Sequence, residues 1–112
     1  MIESILKQAH NLINLEANSI LEMASRLDKN FADAIQMIMA MNGRVVVVGM
    51  GKSGIIGKKI AATMASTGTP AFSVHPGEAF HGDLGMIRPS DVALLISNSG
   101  ETEELIRILP FL

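Results

Sequence analysis

The chain has no cysteine, which excludes disulfides, zinc–thiolate centres and cysteine nucleophiles. It has no basic stripe. Nine Lys and Arg stand against eleven Asp and Glu, scattered, for a formal net charge of −2, so nucleic acid is not expected as its ligand. No apolar run approaches the ~20 residues of a membrane span. The opening MIESILKQAH places Glu3 early and has no signal-peptide core, so secretion is not expected and the cytoplasm is the expected compartment. Repeats, low-complexity runs and linkers are missing too. What is present is 112 residues, 48% of them hydrophobic, enough for one packed domain and contrary to disorder.

The chain is organised around Val45–Gly57, VVVVGMGKSGIIG. Four β-branched residues with no polar alternation suit a parallel strand buried on both faces. The glycines after it let the backbone turn and approach a ligand. The helix that opens there offers unpaired N–H groups and a positive dipole end, which suits phosphate. A strand–loop–helix phosphate or sugar-phosphate site is the first expectation, with Gly51, Lys52 and Ser53 beside the anion.

Apolar residues from Ile2 to Leu27 recur at helical spacing. A helix over 2–27 would reach about 39 Å, longer than this core needs, so part of it is expected to pack on a neighbouring subunit. Asn30 and Asp33 resemble a capping pair for a second helix. Its apolar face is expected to hold Phe31, Ile35, Ile38 and Met39, and Asn42-Gly43 to end it. Residues 1–43 then form N-terminal helices packing on the sheet and a neighbour, and 44–112 the first part of a ligand-binding domain. Strands are expected at Val45–Val48, Ala71–Val74 and Val92–Ser97. A third helix is expected over Ser53–Ala65, with Ile56, Ile60 and Met64 inward and Ala61, Ala62 and Ala65 permitting close approach. A fourth is expected over Thr102–Leu109. Strands alternating with helices imply an α/β fold with a parallel, doubly wound sheet. Only three strands are present where such sheets usually have five or six, so a shortened subunit, or one completed by a neighbour, is expected.

Gly49-Met50-Gly51-Lys52-Ser53-Gly54 fits GxGxxG, but a dinucleotide site also wants an acid at the end of the second strand, and that strand ends in Val74-His75-Pro76. A Walker A loop would need glycine at position 46, which is valine. Ser97-Asn98-Ser99-Gly100-Glu101-Thr102 carries more information. An N-cap needs one hydroxyl, whereas three beside a helix start suit a phosphate dianion held without metal. Both loops fall at carboxyl ends of parallel strands, where such sheets bind ligands. His75, Glu78, His81 and Asp83 follow the second strand. Their spacing matches no standard metal motif, so no physiological metal is expected, adventitious zinc at His81 aside. Glu101, Glu103 and Glu104 suit the dipole of the last helix, and Glu104 is placed to serve as a general base.

Three segments, GMGKSGIIGKKIAATMASTGTP, VHPGEAFHGDLGMI and ISNSGETEE, resemble the sugar isomerase (SIS) domain, and closely the arabinose-5-phosphate isomerase family. The resemblance covers over half the chain. It implies a flavodoxin-like three-layer sandwich. The implied reaction is the interconversion of D-arabinose 5-phosphate and D-ribulose 5-phosphate, which feeds the octulosonate sugar KDO of lipopolysaccharide. It also implies a homo-oligomer, usually a tetramer, with no cofactor. By the same resemblance Ser97, Asn98, Ser99 and Thr102 match the phosphate loop and Ser53 the hydroxyl of the first loop. Lys52, Glu104 and His81 match pocket residues assigned to catalysis, with Gly51 and His75 close by. The family domain continues past the segments present here and supplies a further glutamate and histidine. A non-catalytic sugar-phosphate sensor and an inactive fragment are the alternatives.

Overall fold

Valine at four successive positions disfavours helix and fills both faces of a pleated strand, and β1 (Val45–Gly49) is accordingly the centre of the molecule. The structure, a computed structural model, describes residues 1–79 and 82–112. Around β1 run α1 (Ile2–Ser25), α2 (Lys29–Ala40), α3 (Gly51–Ser66), β2 (Ala71–Val74), α4 (Pro76–Ala79), β3 (Val92–Ile96) and α5 (Glu103–Ile108). Short 3-10 turns occupy Asp83–Met86 and Leu109–Phe111. Two compact units divide between Gln36 and Met37.

The first unit holds α1 and most of α2. Although α1 is amphipathic in sequence, it buries none of its residues. Ile2, Ile5, Leu6, Leu12, Ile13 and Ile20 are all more than half exposed. The start of α2 corrects the expected cap. Asp28, not Asn30, accepts a backbone bond there, from the Asn30 N–H to Oδ1 at 2.9 Å, while Asp33 pairs with Lys29 Nζ at 2.6 Å. The acid two residues before Asn30 reaches the free N–H first, which leaves Asp33 for its neighbour one turn back.

In the second unit the strands are all parallel, in the order β2-β1-β3. Val45 and Val47 pack with Ala61 and the half-buried Ile38, Met41, Ile60 and Met64. Val46 and Val48 pack on the opposite face with Val74, Ala79, Leu105 and Ile108. Both faces of the sheet are thus covered, as the three-layer expectation requires. Two expected core positions are instead exposed, Ile56 at 55% and Met39 at 80%. For Ile56 the cause is close backbone approach. A Cβ on Gly54 would lie 2.7 Å from the Gly49 carbonyl oxygen, and one on Gly57 would lie 3.0 Å from Val47 Cγ1. The helix therefore meets the sheet along Gly54, Gly57 and Ala61, and Ile56 turns outward with Ala62 and Ala65.

The amino-terminal rim is held by one carboxylate. Asp91, whose side chain is 1% exposed, accepts the Arg44 N–H at Oδ1 (2.7 Å) and the Arg88 N–H at Oδ2 (2.8 Å). Arg44 Nη2 donates to the Met86 carbonyl at 2.8 Å, and its guanidinium lies 4.4 Å from the centre of the Phe72 ring. The chain end of the β2–β3 connection is so tied to the start of β1.

Candidate functional site

Parallel pairing sets Gly49 opposite Ile96, so the loops after β1 and β3 leave from one rim. The 2-1-3 order sends α3 to one face and α5 to the other. The crevice between the ends of β1 and β3 is therefore a topological switch point, the place where open α/β sheets take ligands.

Each glycine of GxGxxG has a local reason. Gly49 and Gly54 bring strand end and helix start into backbone contact, and Gly51 sits at φ +56°, in the left-handed region. The helix begins at Gly51, two residues earlier than expected, and no side chain caps it. Its first N–H groups have no side-chain partner. Lys52 is exposed on this first turn and Ser53 is half-buried beside it.

The Ser97–Thr102 loop is closed on itself. Ser97 Oγ and Thr102 Oγ1 are hydrogen-bonded at 2.6 Å, and Ser97 Oγ also accepts the Gly100 N–H at 3.0 Å. Ser99 Oγ accepts the Glu101 N–H at 3.0 Å and stands 3.5 Å from Ser97 Oγ. Gly100 makes this bend possible at φ +72°. The three hydroxyls expected to act together are therefore one cluster, and each has a proton that can rotate. In the Ser97–Thr102 pair one hydroxyl donates and the other keeps its own proton to turn outward, and Ser99 holds its proton against nothing stronger than the 3.5 Å contact with Ser97. Asn98 is exposed at the tip. Thr102 occupies the N-cap of α5 without a side-chain cap bond, and the half-buried Glu104 lies on the first turn after it.

A cavity of about 260 Å³ adjoins this crevice on the β1–β2 side. Gly51 and His75 line it, together with Lys58, Ser73, Glu78 and Asp83. The His75 Nδ1 accepts the Gly77 N–H at 3.0 Å, which assigns the ring proton to Nε2 in the neutral form. Lys52, Ser53, Glu104 and the Ser97–Thr102 loop lie outside its walls. His81 lies outside the described residues, so its expected role and the adventitious zinc have no geometry here. Among the described residues no group of three or more His, Asp or Glu is placed to hold a metal. Sequence reasoning passed over Lys58 and Ser73. Ser73 had a signal, being the one polar residue in the strand AFSV. Lys58, one turn past Gly54, read as an ordinary solvated lysine. Among the described residues no helix is long and apolar enough to cross a membrane.

Comparison with known proteins gives a consistent picture. A family model described as the SIS domain matches residues 38–112. Arabinose 5-phosphate isomerase KdsD of Pseudomonas aeruginosa is 52% identical over 107 residues, covering 96% of this chain and 33% of that protein. Arabinose 5-phosphate isomerase GutQ of Escherichia coli K12 is 53% identical over 110 residues, covering 98% of this chain and 34% of its own length. A structure from E. coli CFT073, solved in complex with arabinose 5-phosphate, superposes with a TM-score of 0.88 at 46% identity. The match covers 96% of this chain and 57% of that one. The chain thus spans about a third of the length of the curated relatives it matches.

Proposed function

This chain belongs to the SIS domain family, and on that premise we propose that it is the portion of an arabinose-5-phosphate isomerase that grips the substrate's phosphate and presents part of the catalytic set to its sugar. The observation that carries the reading is the cluster of Ser97, Ser99 and Thr102 hydroxyls at the switch-point crevice, across from the uncapped start of α3. Neutral donors and a helix dipole suit a phosphate dianion. Ser53, the Gly51 backbone, Asn98 and His75 complete the binding group in this reading.

Aldose–ketose isomerisation moves one proton between C2 and C1 and one between the two oxygens, through a cis-enediol. No electrons are gained or lost, so no redox cofactor is needed. Lys52, exposed on the first turn of α3, is suited to stabilising charge on the sugar oxygens as the enediol forms. Glu104, with His81 as the second candidate, is suited to carry the carbon-bound proton. The exposed apolar stripe of α1 supports a homo-oligomer, a tetramer by the family's habit, and the cytoplasm is the compartment where a sugar phosphate would be met.

The test is direct. D-Arabinose 5-phosphate is added and D-ribulose 5-phosphate is followed. Turnover by the chain, or by the longer protein that contains it, supports the isomerase. Binding without turnover in both supports a sensor, and neither binding nor turnover defeats the reading. In the longer protein, Lys52→Ala is expected to lower turnover about a hundredfold without moving the thermal midpoint.

A further inference from the structure

The cavity between α3 and the end of β2 has a chemistry of its own. Gly49, Gly51 and Gly54 line it together with a serine, Ser73, that pairs in register with Val47. Its walls bring together a cation, Lys58, and two carboxylates, Glu78 and Asp83. These opposite charges line one cavity of about 260 Å³ and yet form no ion pair with one another. Among the described residues none of the three, nor the Ser73 hydroxyl, has a hydrogen-bond partner. Carboxylates that only accept, an ammonium that only donates and a hydroxyl that does both make a set that suits neighbouring sugar hydroxyls. A second phosphate is disfavoured by the two acids, and a divalent cation by the lysine.

The cavity sits one inter-strand step, about 4.8 Å, from the crevice that faces the Ser97–Thr102 loop, and Gly49 belongs to both. A ligand anchored by phosphate at that loop needs to extend only across the end of β1 to reach it, a span that a pentose chain covers. We propose that this cavity receives the non-reacting hydroxyls of the substrate's sugar chain, with Glu78 accepting from adjacent hydroxyls and Lys58 donating to one. The proposal rests on the phosphate reading above and adds the direction in which the sugar lies. Glu78 and Lys58 thereby discriminate among polyol phosphates that the phosphate loop alone would accept equally.

Calorimetric titration of the 112-residue chain with two probes, inorganic phosphate and D-arabinose 5-phosphate, tests it. Glu78→Gln and Lys58→Gln are each expected to weaken arabinose 5-phosphate about tenfold and to leave inorganic phosphate unchanged, while Ser99→Ala weakens both. Both side chains are exposed, so neither variant threatens the fold. If Glu78→Gln leaves arabinose 5-phosphate unchanged while Ser99→Ala still weakens both probes, the cavity assignment fails and the phosphate loop stands. An equal loss for both probes in the Glu78 or Lys58 variant also overturns it, since that is a general field effect. If Ser99→Ala changes neither, or the unaltered chain binds neither probe, the phosphate reading fails and takes this proposal with it.

Discussion

At the amino-terminal rim of the sheet, both oxygens of Asp91 accept backbone N–H groups and the Arg44 guanidinium is shared between a carbonyl and the Phe72 ring. At the carboxyl-terminal rim, Ser97, Ser99 and Thr102 bond mainly to their own loop and α3 starts uncapped. Lys58, Glu78 and Asp83 line a cavity there, unpaired among the described residues. The same three strands feed both rims. One end uses its polar groups to close the fold, and the other leaves donors and acceptors that a ligand can satisfy. Substitutions should therefore separate into those that cost stability and those that cost binding, according to the rim they touch.

The sharpest break of that contrast is Asp91→Ala. It removes the acceptor of two backbone donors, one of them part-buried, and the thermal midpoint is expected to fall by about 8 °C with phosphate affinity within about twofold. Calorimetry on the folded fraction below the midpoint checks both halves. Gly54→Ala comes next and blurs the contrast, because its Cβ would meet the Gly49 carbonyl oxygen. A loss of about 8 °C together with weaker pentose-phosphate binding is expected. Ser99→Ala sharpens it again, with affinity about tenfold weaker and a midpoint shift below about 2 °C.

The smallest effect concerns pH. Backbone N–H groups of Arg88 and Arg44, with the Arg44 charge, hold the Asp91 carboxyl below its ordinary 3.8. A depressed carboxylate contributes stability above its unfolded value and loses it as pH falls through its folded one. The midpoint gap between the native chain and Asp91→Asn should therefore be constant near neutrality and shrink once pH drops below about 4. A gap that widens in acid would show that the carboxylate is not the group responsible.

The sheet was legible because its cues are local. The valine run, Ala71–Val74 and Val92–Ile96 needed only composition and flanking turn residues. The clustering of Ser97, Ser99 and Thr102 was legible for the same reason, since one short loop brings them together. What escaped the sequence depended on tertiary approach. Hydrophobic periodicity put Ile56 inward, but the glycine contacts of α3 with the sheet set its rotation and turned Ile56 out. Asp91 looked like one residue of a turn, and only its long-range pairing with Arg44 makes it an anchor. Lys58 and Ser73 gave little warning because their meeting with Glu78 and Asp83 requires separate segments to converge.

Helix α1 is 24 residues long and buries none of them, so along about 36 Å it presents leucine and isoleucine to whatever is dissolved nearby. If copies of the chain associate through that surface, the folded form is favoured by mass action and the melting temperature rises with protein concentration. A dilution series of the native chain tests for that rise, and variants are to be compared at a single concentration.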